Sequence, residues 1–116
     1  MGLQKIELTL TAATGTAYTD GPVFGFVECI RLEYTDIANA TTDVTISEEG
    51  DPSRDIMTIS NSNTDATYQP HVSMQDSTGS DTGLYRMPYI SGQRLKMTAA
   101  QSDAGTITAY INLIEV

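Results

Sequence analysis

The segment Thr106-Ile-Thr-Ala-Tyr-Ile-Asn-Leu-Ile-Glu-Val116 concentrates β-branched and aromatic residues, and a run of that kind favours a β-strand. Its counterpart is Leu3-Gln-Lys-Ile-Glu-Leu-Thr-Leu-Thr11, where Ile6, Leu8 and Leu10 alternate with charged or hydroxylated residues at the period of a half-buried strand. Strands at both extremities must find partners from the rest of the chain. The expectation is therefore an all-β domain with both ends built into the fold.

The interior supplies those partners. A short extended piece is expected around Ala17 and Tyr18, between the turn-forming stretches Ala12-Ala-Thr-Gly15 and Thr19-Asp-Gly-Pro22. Val23 to Thr35 is the longest apolar block and reads as a strand with Phe24, Phe26, Ile30, Leu32 and Tyr34 on one face. Glu28 interrupts that face, and Gly25 marks a bulge or bend. After a polar, irregular stretch at Asp36–Thr42, Asp43–Ser47 and Asp55–Ser60 form an antiparallel hairpin around the turn Glu48-Glu-Gly-Asp-Pro-Ser53.

From Asn61 to Gly83 the chain is rich in Asn, Ser, Thr, Asp and Gly, with one short extended piece at Thr67–Met74. Such a long polar excursion is the place to look for a functional loop whose order depends on neighbours. A strand follows at Leu84–Ile90, where Pro88 restricts it to an edge or a strand end. Ser91-Gly-Gln93 turns the chain into Arg94–Thr98, and Ser102-Asp-Ala-Gly105 turns it again. Seven or eight short strands at this spacing predict a single antiparallel β-sandwich over residues 1–116, jelly-roll-like, or a small barrel.

The chemistry on offer is sparse. Six basic residues stand against fifteen acidic ones, a formal net charge of −9 that argues against a nucleic-acid partner and for an acidic, solvated surface. Trp is absent and Phe scarce, so the core must come from Ile, Leu, Val, Met and Tyr. The one cysteine, Cys29, sits in a strand-like setting and is expected to be a buried, inert thiol. The N-terminal residues lack a signal-peptide pattern and no run is long enough for a membrane helix, so cytosolic synthesis and a soluble product are expected. Asn39-Ala-Thr41 matches a glycosylation sequon that Thr abundance alone explains.

Catalysis by a Ser-His or Cys-His pair needs a base, and the one histidine, His71, follows Pro70 in the polar excursion with no nucleophile at an identifying spacing. Neither a catalytic residue nor a small-molecule substrate or cofactor is expected. Glu48, Glu49, Asp51 and Asp55 crowd one turn and suggest a calcium site, but their spacing is not that of an EF-hand and a hydrated acidic tip suffices. The residues marked for protein contact are Tyr68, His71, Leu84, Tyr85, Arg86, Met87 and Tyr89, which lie along the excursion and the strand after it.

Several stretches together resemble small virion structural proteins of tailed bacteriophages. They are the Thr-rich first strand with Tyr18-Thr-Asp20, Leu32-Glu-Tyr-Thr-Asp36, Asp43-Val-Thr-Ile-Ser-Glu-Glu-Gly50, Tyr68-Gln-Pro70, and Ile90-Ser-Gly-Gln-Arg-Leu-Lys-Met97. The resemblance implies a β-sandwich that decorates or cements the outer capsid surface of the virion. Its implied partners are the major capsid protein and further copies of itself, commonly in a trimer. A tail, adaptor or fibre-base protein of the same fold class is the alternative, and a carbohydrate-binding module with tyrosine platforms is a more distant one.

Overall fold

The computed structural model describes residues 2–11, 15–35, 40–50, 53–101 and 105–115. The turns at Ala12–Gly15 and Ser102–Gly105, the stretch Asp36–Thr42 with its sequon Asn39, and Asp51 of the acidic turn fall wholly or partly outside those residues.

Eleven strands are present among the described residues: β1 (Leu3–Leu10), β2 (Gly15–Tyr18), β3 (Val23–Tyr34), β4 (Asp43–Glu48), β5 (Asp55–Ile59), β6 (Ala66–Tyr68), β7 (Val72–Gln75), β8 (Asp81–Arg86), β9 (Tyr89–Gln93), β10 (Leu95–Ala100) and β11 (Ile107–Ile114). Every pairing is antiparallel. One sheet runs β1-β11-β3, with β6 and β9 both on the far edge of β3, and the other runs β2-β10-β4-β5. Setting β6, β7 and β8 aside, the remaining strands alternate between the sheets except at the β4-β5 hairpin, the order of a jelly roll. The all-β expectation is met, and the two sheets curl into a half-barrel.

Alternation fixes which residues the sheets bury. In the first sheet Leu8, Leu10, Ile30, Leu32, Ile107, Ala109, Ile111 and Leu113 turn inward; in the second, Val44, Ile46, Leu95, Met97 and Ala99 meet them. The core is aliphatic, as the scarcity of Phe and Trp requires. Thr19 ties β2 to β10. Its backbone N–H donates to the Leu95 carbonyl at 2.9 Å, while its hydroxyl accepts from the Leu95 N–H at 3.2 Å and donates to the Gly21 carbonyl at 2.8 Å.

Three parts of the sequence reading around β3 need correction. Phe24 and Phe26 do not share the inward face with Ile30, Leu32 and Tyr34. A bulge leaves Glu28 without a partner on β11, between the pairs Cys29–Asn112 and Val27–Leu113, and reverses the parity of β3. Val23 and Val27 face the core instead, and Phe24 is 58% exposed. The second correction concerns Ser91-Gly-Gln93, which is strand rather than turn. Gly92, with φ +79°, is the extra residue of a bulge against Val23 and Phe24, so the chain reaches β10 without reversing there. Cys29 also departs from expectation, because the bulge leaves it half-buried on the outer face, where it accepts a hydrogen bond from Asn112 Nδ2 at 3.3 Å.

Tyr34 closes one end of the core. Its backbone N–H donates to Asp65 Oδ1 at 2.8 Å, and its hydroxyl is buried without a hydrogen-bond partner. Burial, with the nearby Tyr68 and Asp65 adding to it and Ser62 offsetting a little, pushes the phenol up to about 12 from its ordinary 10. An unfolded chain would release that proton first, so the contribution of Tyr34 is fully present below pH 10 and is lost as pH rises through 12. The loss is at most about 2–3 kcal/mol. Tyrosinate absorbance should show this late component, and Tyr34→Phe should remove it while leaving stability at neutral pH equal or slightly higher, since it deletes an unpaired hydroxyl.

Candidate functional site

The polar excursion is not a loop. Its first part, β6, adds to β3 through Ile30–Tyr68, Arg31–Thr67 and Leu32–Ala66. The chain then leaves the sheet, forms the hairpin β7-β8, and returns to the same edge of β3 as β9, which pairs with Val23–Phe26. The single extended segment expected at Thr67–Met74 is thus split by Gln69–His71, and the one at Leu84–Ile90 is split by Met87 and Pro88. Pro88 sits where its missing N–H costs nothing, and its carbonyl accepts from Val27 N–H at 2.8 Å beside the Glu28 bulge.

This hairpin is an arm. Its two strands pair with each other and scarcely touch any other strand, and every residue of β8 is exposed. The molecule measures 46 × 28 × 26 Å. The arm carries Met74, Leu84, Tyr85 and Met87 into solvent, with Leu84 61% and Tyr85 60% exposed. A two-stranded hairpin gains little stability by itself, so such residues on one suit a contact made after folding.

The tip is nevertheless ordered by its own chemistry. Asp76 Oδ1 accepts from the Thr78 N–H at 2.8 Å, the Thr78 hydroxyl at 2.7 Å and the Ser80 N–H at 3.1 Å, and the Asp76 N–H donates to the Ser80 carbonyl at 2.9 Å. Those bonds, the Thr78 hydroxyl first, hold the carboxyl below the usual carboxylate range. Gly79 takes φ +85° to close the turn. The Thr and Ser residues that suggested a loop here act as turn locks.

The residues marked from sequence divide into two groups. His71, Tyr85, Arg86 and Met87 meet at the root of the arm, where with Glu28, Gln69 and Pro70 they line a hollow of about 390 Å³. The His71 ring stands edge-on to Tyr85 with centroids 4.5 Å apart and planes at 83°. Leu84 lies further out on β8. Tyr68 and Tyr89 belong to the sandwich: Tyr68 packs against the core from β6, and Tyr89 rests on Phe26 at 4.9 Å. Met74 was missed, although the run Val72-Ser-Met74 carried the signal once it was read as a hairpin strand.

The acidic turn is held by arginines. Arg54 Nε donates to Glu48 Oε1 at 3.0 Å and Arg54 Nη2 to the Tyr89 carbonyl at 2.6 Å, fastening the β4-β5 hairpin to β9. Arg94 pairs with Glu49 and lies over the Tyr18 ring at 4.8 Å. Among the described residues no three metal-ligating side chains converge.

No protein-family model matches this sequence, and no curated protein matches it. A solved structure described as a crystal structure of FLHE aligns over 97% of this chain and 98% of its own length, with a TM-score of 0.46 and 10% identity.

Proposed function

We propose that this chain is an assembly protein that acts by contact alone, a decoration or cement subunit of a tailed-phage head, bound to the major capsid protein and to copies of itself as a trimer. The observation that carries the reading is the arm: a rigid sandwich holds out an ordered hairpin whose apolar side chains have nothing to cover them in the isolated chain. His71 supports the same reading, because its ring is engaged by Tyr85 as part of the arm's root. The net charge of −9 keeps such a surface from associating at random before it reaches its target.

The test is add-back. Heads assembled without this protein should bind the purified chain saturably at many equivalent sites and then retain their DNA to higher temperature. Replacing residues 73–85 by a short turn should leave the sandwich folded and weaken head binding by roughly a hundredfold or more, the scale of two buried anchors. Heads that ignore the intact chain would overturn the proposal, and density in one ring at the tail would reassign it to the adaptor reading.

A further inference from the structure

The arm stands at one edge of the first sheet, and the opposite edge has its own vacancy. β1 ends the strand order, so among the described residues no strand pairs with its outer edge, although β2 lies near it. Gln4 and Ile6 have the same parity as the buried Leu8 and Leu10, yet Gln4 is exposed and Ile6 only partly covered. The sandwich is open at this corner. A hollow of about 320 Å³ lies there, walled by Gln4–Glu7 on one side and Tyr18–Val23 on the other, and Leu3 beside it is 67% exposed.

We propose that β8 of one copy adds antiparallel to the free edge of β1 in a second copy, laying Leu84 over Ile6 in the open corner. This rests on the assembly reading above and names the self-contact. In that register Tyr85 falls beside Lys5 on the outer face, and Arg86 falls beside Gln4 on the inner one, toward the hollow whose far wall includes Asp20. Arg86 and Lys5 form no ion pair among the described residues, whereas Arg31, Arg54 and Arg94 each do. Asp20 in that wall offers the arm's unpaired Arg86 an opposite charge, while Lys5 and Glu7, which also line the hollow, offset one another.

A second copy is the occupant for two reasons. A chain cannot serve itself, because β11 and β3 separate its own arm from its own β1. The size also fits: a stable interface needs roughly 20–30 residues a side, which one arm given and one corner filled supply to each copy. Donor and acceptor are different surfaces, so the contact is head-to-tail and forms a ring where the rotation between copies closes.

The experiment uses the full chain with Cys29→Ser, carrying Lys5→Cys and Tyr85→Cys together. Mild oxidation should link chains into covalent oligomers, whereas neither cysteine variant alone should do so at the same concentration. Adding Leu84→Asp, at an exposed site where the change should leave the circular dichroism unaltered, should abolish the link and weaken association by roughly tenfold to a hundredfold in sedimentation equilibrium. A parent chain that sediments as a monomer at tens of micromolar, or a link that survives Leu84→Asp undiminished, would overturn the inference. A monomer that still decorates heads would sink this contact and leave the proposed function standing; an oligomer indifferent to heads would do the reverse.

Discussion

Ile111→Ala should lower the free energy of unfolding by about 2–5 kcal/mol, the range found when a large aliphatic side chain is cut back in a closed core. Ile111 is fully buried on β11, the strand with β1 on one side and β3 on the other. It lies in a row that runs Ile6, Ile111, Ile30, Tyr68 across four strands. Strands on both sides pin that row, so the sheet cannot easily close over the void. Urea unfolding should show a lower midpoint at unchanged slope. A loss under about 1 kcal/mol would mean that the curled sheet relaxes into the space, contrary to the packing described.

Gly25→Val should be comparably damaging for a different reason. Gly25 has φ +142°, and a Cβ placed on it would lie 2.6 Å from the carbonyl oxygen of Ile114 and 3.2 Å from its carbon. The obstacle is backbone, which no rotamer change can remove. Left-handed strain and overpacking together should cost about 2–5 kcal/mol. The end of β11 should separate from β3 first, so hydrogen exchange should speed up at Leu113 and Ile114 before it does at Ile107. Uniform protection along β11 in the variant would contradict this.

How much of this was legible depended on what each residue answers to. β1 and β10 were plain because alternation is a local signal: Leu8, Leu10, Leu95 and Met97 all face inward as their spacing requires. The hairpin Asp43–Ile59 was plain for the same reason. The face of Val23–Phe26 was not, because the Glu28 bulge depends on where β11 shifts register, a long-range matter that no window of sequence contains. Reading Phe24 as core came of carrying one period past Glu28, which the sequence marked as an interruption but not as a reversal of parity.

The arm was hidden by its composition. Polar β-strands exist only when paired, and in β7-β8 the pairing is with each other, so Ser, Thr and Gln that suggest disorder in isolation here alternate along a ladder. Leu84, Tyr85 and Met87 stood out in the sequence as candidates for contact because large apolar groups beside a proline do not sit comfortably in a sheet interior, and the structure leaves them exposed. Ile6 and Gln4 were not recognisable as the rim of an open corner. Their pattern is that of any covered strand, and only the sheet order shows that no strand pairs with that edge among the described residues.

Both feet of the excursion stand on one strand: β6 leans on Ile30–Leu32 and β9 on Val23–Phe26. Whatever lies between them begins and ends at a fixed distance, and lengthening such a span costs little because closure entropy grows only with the logarithm of its length. A gene encoding this scaffold can therefore exchange, lengthen or mutate the intervening peptide without renegotiating the jelly roll beneath. The same tolerance makes this spot a natural insertion point for a foreign epitope.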